Sequence, residues 1–372
     1  MKNSVTVQIY TGGFESPPEP LDVPLLIGKL EKILQKAEIN CVMIGWNPNA
    51  NIGGVVNFCK WHGIDVYLWL PVFSGLKGLS PLIGPNGNPV KQAFQAEKGE
   101  RFDFGCPANP DNLRRVKQNV ENRFSGVLYD GVFLDKIRFP SFICGLEPML
   151  TCFCPYCLPL HGLSDELALA RGDNPLGINL YSQLRYELED EALARLFVYK
   201  ADVITAAAAD LSGHFRQKGF KVGLDLFAPF LSFFVGQDYG RLAPYADFIK
   251  PMFYRRTNAP AGIPFEFEKM LAAFGGDVWV RNAQKRFLRK AINTKKFTNA
   301  FINREIKGIR DQIGAVKLYA GVEINYLAKT APVTAGYIRE SISSLKGADG
   351  FALSWDLSSI SDENLDAALN AL

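Results

Sequence analysis

The sequence predicts an α/β fold, a single (β/α)8 TIM barrel, from three observations. Strand and helix patterns alternate along the whole 372-residue chain, which is typical of the α/β class. Eight strand patterns are present, the number that closes such a barrel. Residues beyond the roughly 250 of a minimal barrel follow strands, where catalytic loops lie. Length alone suggests two domains at about 150 residues each. Because no linker-like stretch separates two parts, we expect one catalytic domain over residues 1–372.

The predicted strands are short and rich in apolar residues, as expected of parallel strands covered on both faces. In order they are Val5–Thr11, Cys41–Trp46, Asp65–Phe73, Gly131–Phe139, Lys221–Ala228, Phe248–Tyr254, Val316–Asn325 and Gly350–Leu357. Amphipathic patterns between them predict helices. These are Leu25–Lys36, Ile52–His62, Glu187–Lys218, Ala300–Gln312, Thr334–Leu345 and Ser361–Leu372. Long loops are expected after strands three, four and six, at about 74–109, 141–184 and 255–298.

Composition excludes several classes of protein. Lys plus Arg is 41 against Asp plus Glu 38, a balance unlike that of proteins that bind nucleic-acid phosphates. No apolar run reaches the roughly 18 residues that a membrane helix needs. The start of the chain lacks the pattern of a signal peptide, and seven Cys is an odd number. We therefore expect a cytoplasmic protein with reduced thiols and no nucleic-acid or membrane partner.

The three histidines lie outside the predicted strands. This placement argues against a barrel hydrolase with His-bound metal and against a Ser-His-Asp mechanism. The fingerprints G-x-G-x-x-G and G-x-x-x-x-G-K-[ST] are absent from the sequence, which argues against dinucleotide and P-loop chemistry.

Carboxylates near the ends of predicted strands are the main functional signal. These residues are Asp135, Asp225, Glu323 and Asp356. Several carboxylates at one barrel mouth suit glycoside hydrolysis, which needs a general acid and a nucleophile or general base. The alternative is that the acids form salt bridges with Lys136, Arg138 or Lys250.

Roles can be assigned to three of these acids. Asp135 ends the most distinctive strand and has Arg138 nearby, so we expect it to be the nucleophile or general base. Glu323 lies in the apolar context GVEIN, where burial favours a protonated carboxyl, so we expect it to be the general acid. Asp225 is the reserve acid, or it orients a sugar hydroxyl.

Other residues at the predicted strand ends could contact a sugar. Flat aromatic rings can stack on the C–H face of a sugar, although a single such ring more often belongs to core or rim packing. Gln237 and Asp238 could contact substrate, or Asp238 could cap the next helix. The predicted substrate-binding residues are Tyr10, Trp46, Trp69, Arg138, Lys250, Tyr254, Trp355, Asp356, Gln237 and Asp238.

Four cysteines lie in the insertion after the fourth strand. Cys152, Cys154 and Cys157 have C-x-C-x2-C spacing, and Cys144 precedes them. This density predicts a structural Zn2+ site with four thiolate ligands. Cys106 of the preceding insertion is the candidate fourth ligand, with Cys144 as the alternative. Free buried thiols or a disulfide are the competing interpretation.

The cysteine pattern resembles the zinc cluster of glycoside hydrolase family 42 β-galactosidases. The matching residues are the CFCPYC run and the upstream Cys106 in FDFGCP. The resemblance implies a (β/α)8 barrel whose zinc joins the loops after strands three and four. It does not extend to the acid of that family, since an Asn-Glu pair is replaced by LDKIRFP here. The stretch from Asp130 to Pro140 instead resembles poorly characterised glycosidase-like barrels.

Two functions follow as hypotheses. The first is a glycoside hydrolase or transglycosidase acting on an oligo- or polysaccharide. The second is a barrel that binds carbohydrate without cleaving it. No organic cofactor is expected, and self-association into a homo-oligomer stays open.

Overall fold

Each apolar strand pairs in parallel with its neighbours in the sequence, and the first also pairs with the last. The computed structural model is therefore a closed barrel in the order β1 to β8, which confirms the predicted fold class. It describes residues 4–84, 87–90, 100–157, 191–274 and 297–372. The strands are β1 (Ser4–Tyr10), β2 (Glu38–Gly45), β3 (Asp65–Pro71), β4 (Gly131–Asp135), β5 (Lys221–Phe227), β6 (Phe248–Met252), β7 (Lys317–Glu323) and β8 (Gly350–Ser354).

Helices cover the outside of this barrel, and side chains at their N-termini explain where several begin. The Asp22 carboxylate accepts from Leu25 N at 3.0 Å at the start of the first helix, and Thr334 caps a later one in the same way. Such caps satisfy backbone N–H groups that lack a helical partner. The helices are α1 (Val23–Lys36), α2 (Gly53–Trp61), α3 (Pro110–Arg123), α4 (Leu146–Met149), α5 (Glu191–Gln217), α6 (Pro229–Ser232), α7 (Tyr239–Leu242), α8 (Ile263–Phe274), α9 (Asn299–Ile313), α10 (Ala335–Ser344) and α11 (Asp362–Leu369).

An aromatic layer fills the barrel interior below the candidate site. Phe248 contacts Phe133, Tyr67 and Tyr319, with ring centroids 5.6, 5.3 and 5.7 Å away. Gly223 makes room for this layer, because a Cβ there would lie 2.3 Å from Phe248 Cζ. Since side chains alternate along a strand, residues two positions beyond this layer also face inward, nearer the carboxyl ends.

Several predicted boundaries were wrong. The predicted strand Gly131–Phe139 ends at Asp135, because Lys136 takes a left-handed backbone conformation with φ of 50°. The last strand ends at Ser354, three residues before the predicted end. Helices α3 and α8 and the short helices α4, α6 and α7 were not predicted.

The long connections follow β3, β4 and β6. Residues 158–190 and 275–296, in the second and third of them, lie outside the described residues, as does the predicted helix start at Glu187. In the part of the chain that the structure describes, no helix is long and apolar enough to cross a bilayer. That residues 1–372 form one domain stays a prediction.

Candidate active site and thiol cluster

Asp135 and Asp225 lie side by side at the carboxyl ends of β4 and β5. The register pairs Leu134 with Leu224, so the two aspartates occupy the next equivalent positions on neighbouring strands. Neighbouring strands lie about 5 Å apart, and the charge of Asp135 contributes to the raised pKa of Asp225. The structure therefore places these two predicted acids on adjacent strands at the barrel mouth.

Two N–H donors fix the carboxylate of Asp135. The indole Nε1 of Trp69, on β3, donates to Oδ2 at 3.0 Å, and the backbone N of Lys136 donates to Oδ1 at 2.6 Å. Both Asp135 and Trp69 are buried. The Asp135 carboxylate thus bonds to the β3 side of the barrel mouth.

The Asp225 carboxylate bonds in the other direction along the sheet, to Lys250 of β6. Lys250 Nζ donates to its Oδ2 at 3.0 Å and to the hydroxyl of Tyr254 at 2.7 Å. Gly321 leaves space for this lysine, because a Cβ there would lie 2.9 Å from Lys250 Cε. The other carboxyl oxygen, Asp225 Oδ1, is buried and has no hydrogen-bond partner among the described residues. One oxygen of this buried acid therefore makes no hydrogen bond within the described part of the chain.

Burial controls the protonation of this group. Loss of solvent raises the pKa of Asp225 to about 7; the neighbouring charge of Asp135 adds to the rise, whereas Lys250 opposes it. Burial lowers the pKa of Lys250, but Asp225 and Tyr254 outweigh that effect and the pKa is raised. A carboxyl group with a pKa near neutrality can give up and regain a proton during turnover.

Glu323 has a different environment at the end of β7. Its Oε1 accepts from Arg256 N at 2.6 Å and from the Tyr337 hydroxyl at 2.7 Å. Its Oε2 accepts from Thr257 N at 2.9 Å and from the Thr257 hydroxyl. Burial raises the pKa of Glu323, and these hydrogen bonds oppose the rise. The carboxylate therefore ties the segment after β6 to β7 and to α10.

The predicted aromatic residues form two groups. In the first, the Tyr10, Trp46 and Trp69 rings meet edge to face, with centroids 5.5–6.2 Å apart. In the second, Tyr254 and Trp355 lie 6.0 Å apart. Tyr10 and Trp355 are partly exposed, whereas the other three are buried. Of the five rings, only those of Tyr10 and Trp355 are therefore exposed enough to contact a sugar.

Four other predicted substrate contacts have partners within the protein. Arg138 lies between the Phe104 and Phe227 rings, 4.7 and 4.4 Å from their centroids, and donates to Phe139 O at 2.9 Å. Burial lowers the pKa of Arg138. Gln237 Oε1 accepts from Phe227 N at 2.9 Å.

The remaining two of these residues are acids that cap helices. Asp238 accepts from Arg241 N at 3.1 Å and caps α7. Asp356 accepts from Tyr10 N and Ser358 N, at 3.1 and 3.2 Å. These contacts favour structural roles for both acids.

Lys136 is a neighbour of the site that sequence reasoning treated only as a salt-bridge partner. Its side chain is 4% exposed, and its ammonium pairs with Glu100 at 3.0 Å instead of a strand-end acid. The available signal was a lysine directly after the aspartate of an apolar strand.

Four cysteines come together outside the barrel mouth. The sulfur atoms of Cys106, Cys152, Cys154 and Cys157 all lie within 4.8 Å of one another. Cys144 is outside this group, and its sulfur contacts Phe102 O at 3.9 Å. Of the two candidates for the fourth position, the structure places Cys106 in the cluster.

The cluster has the dimensions of a tetrahedral thiolate site. Cys106 lies 3.6 and 3.5 Å from Cys154 and Cys157, sulfur to sulfur, and those two are 3.6 Å apart. A tetrahedral zinc with Zn–S bonds of about 2.3 Å has sulfur atoms about 3.8 Å apart. All seven cysteines are free thiols, so the cluster is not a pair of disulfides. Its geometry therefore fits one metal ion with four soft ligands.

Comparison with known proteins gives similarity in structure only. No protein-family model matches the chain, and no curated protein matches it. The glycoside hydrolase domain of PgaB (BpsB) from Bordetella bronchiseptica is similar over 100% of this chain and 98% of that one, with TM-score 0.57 and 14% identity.

Two further solved structures are similar. The β-galactosidase from the psychrophilic Marinomonas ef1 matches over 100% of this chain and 58% of that one, with TM-score 0.55 and 14% identity. The spore cortex-lytic enzyme SleL from Bacillus megaterium QM B1551 matches over 100% and 74%, with TM-score 0.51 and 9% identity. At these identities the likeness establishes a barrel fold shared with glycoside hydrolases.

Proposed function

We propose that this protein is a glycoside hydrolase that uses Asp135 and Asp225. The observation that carries the proposal is the pair of neighbouring carboxyls at the barrel mouth. In one of them, Asp225, one oxygen has no donor among the described residues and burial raises the pKa to about 7. Asp225 gives its proton to the glycosidic oxygen as the bond to the anomeric carbon breaks. Asp135 attacks that carbon, or takes a proton from the attacking water. The substrate is an oligo- or polysaccharide, and water supplies the hydroxyl and hydrogen of the two products.

The acid role goes to Asp225 because of the hydrogen bonds on Glu323. Four donors occupy both oxygens of Glu323, so delivering a proton to substrate would break bonds that hold the loop after β6. Asp225 needs no such rearrangement at Oδ1. Tyr10 and Trp355, partly exposed, are proposed to contact the sugar rings.

Hydrolysis of oligosaccharides and aryl glycosides by wild type and Asp135→Asn tests the proposal. The variant should lose on the order of 10³-fold or more in kcat, as expected for loss of a nucleophile or base. Asp130→Asn is the matched control, because Asp130 precedes the opposite end of β4 and pairs with Lys60 at 2.5 Å. Equal activity of Asp135→Asn and wild type would contradict the proposal.

A second candidate function is carbohydrate binding without cleavage. The observation that favours it is the buried ion pair of Asp225 with Lys250, which can neutralise the acid. Wild-type protein that binds oligosaccharides in calorimetry, yet cleaves none of them over a long incubation, would favour this candidate. Self-association into a homo-oligomer stays a prediction.

The thiol cluster is proposed to hold a structural Zn2+ bound by Cys106, Cys152, Cys154 and Cys157. Four thiolates complete the coordination shell and leave no open position for water. The metal would join the segment after β3 to the segment after β4. A cytoplasmic location stays a prediction.

Elemental analysis tests the metal proposal. Protein purified without added metal should contain about one zinc per chain, and Cys106→Ser should lose it. Cys144→Ser is the control, because Cys144 lies outside the cluster and should leave the zinc content unchanged. Metal-free wild type, or zinc lost equally from both variants, would contradict the assignment.

A further inference from the structure

The backbone directly after Asp135 is held in an unusual conformation. Lys136 has φ of 50°, in the left-handed region that residues with a side chain rarely adopt. Such a conformation persists only where surrounding contacts enforce it, and it is common at functional sites. The contacts of the Lys136 side chain should therefore show what holds its backbone in this conformation.

The ammonium of Lys136 contacts the segment after β3 and the Trp46 ring. It donates to Arg101 O at 2.9 Å and pairs with Glu100 at 3.0 Å. It also lies 4.3 Å from the centroid of the Trp46 ring and 4.2 Å from that of Phe102. A buried ammonium with these partners cannot move without losing several favourable interactions at once.

This anchor determines where the neighbouring backbone N–H points. The Lys136 N–H donates to Asp135 Oδ1 at 2.6 Å, while the Trp69 indole holds Oδ2 at 3.0 Å. One donor on each oxygen fixes both the position and the rotation of the carboxyl plane. The backbone also connects to the strand extension beyond β3, because Val72 N donates to Asp135 O at 2.8 Å.

We propose that Lys136 is a positioning residue for Asp135. The anchored ammonium keeps residue 136 in the left-handed conformation, and its N–H then orients the Asp135 carboxylate toward the barrel mouth. The orientation of the Asp135 carboxylate is argued from the contacts alone, whereas its effect on turnover rests on the proposed function. The segment that carries the anchor also carries Cys106, so it connects the thiol cluster to the candidate active site.

The NMR resonance of the Trp69 indole N–H tests the positioning role of Lys136 in the absence of substrate. This N–H donates directly to Asp135, so its NMR signal, assigned with Trp69→Phe, reports movement of the carboxylate. Lys136→Met keeps the apolar stem and removes the ammonium. It should shift this resonance, because the Asp135 carboxylate that accepts from the indole would move. Lys29→Met is the matched control, since Lys29 is another buried lysine, held by three carbonyls at 2.7–3.0 Å.

A milder variant keeps the test decisive if Lys136→Met fails to fold. Glu100→Gln removes the charge that pairs with the Lys136 ammonium, and Glu100 is the more exposed of the two residues. This variant should shift the Trp69 resonance in the same direction as Lys136→Met, but by a smaller amount. If both variants leave the resonance where it is in wild type, the inference is wrong. An equal shift with Lys29→Met would also overturn it, because the response would then be a general effect of losing a buried lysine.

Turnover separates this inference from the proposed function. Lys136→Met should lower kcat by about 10²-fold, as expected for a misplaced catalytic group, and change KM much less. A shifted resonance in a protein that hydrolyses no glycoside would support the positioning role and refute the proposed function. Hydrolysis with unchanged kcat and an unchanged resonance in Lys136→Met would refute the positioning role alone.

Discussion

Asp225 and Glu323 can be compared directly, because both lie near the carboxyl end of a strand, both are 2% exposed and both lie in apolar sequence. They differ in their hydrogen bonds. Glu323 accepts from four donors, whereas Asp225 bonds to Lys250 through one oxygen and leaves the other without a described partner. Burial alone therefore does not separate these two acids. The number of acceptor positions without a donor does, and it is the basis for proposing Asp225 as the acid.

Of the variants that separate these two acids, Asp225→Asn has the largest expected effect. If Asp225 is the general acid, the variant should lose about 10²–10⁴-fold in kcat on substrates whose leaving oxygen needs a proton. Nitrophenyl glycosides, whose leaving group needs no protonation, should be hydrolysed at a rate much closer to wild type. Steady-state rates on both substrate types measure the difference.

The outcome that would reverse the assignment is equally specific. If Glu323→Gln shows this dependence on the leaving group and Asp225→Asn does not, the acid is Glu323. Asp225 would then be a buried partner of Lys250, which is the alternative that the sequence also allowed.

Glu323→Gln should instead lower stability. One oxygen becomes an amide NH2, which would face N–H or O–H donors and leave at least one of them unsatisfied. Losing hydrogen bonds to a buried charged acceptor costs about 1–3 kcal/mol in the free energy of unfolding. Denaturant unfolding measures this loss. An unchanged stability would show that the four donors do not hold the loop after β6.

The fold could be predicted because periodicity and strand number are local properties of the sequence. The alternation of side chains along a strand likewise puts Asp135 and Asp225 on inward faces, since each lies two positions from another inward-facing residue. Helix α3 escaped prediction because its apolar stripe is only Leu113, Val116 and Val120 in an otherwise polar segment.

The hydrogen-bond partners could not be predicted in the same way. The donors to Glu323 come from Arg256, Thr257 and Tyr337, up to 67 residues away in the sequence. Likewise, nothing local indicated that strand β4 stops at Asp135 or that Lys136 then takes a left-handed backbone conformation.

The smallest expected effect is the dependence of turnover on pH. A general acid must be protonated, and burial raises the pKa of Asp225 to about 7. On substrates with poor leaving groups, kcat/KM should therefore stay level just below pH 7 and fall about tenfold per pH unit above it. In Asp225→Asn this alkaline limb should vanish from the residual activity, whereas Glu323→Gln should keep it. If kcat/KM of the wild type instead began to fall near pH 4–5, the acid would be an ordinary, solvent-exposed carboxyl. Neither Asp225 nor Glu323 has such an environment, because both are buried.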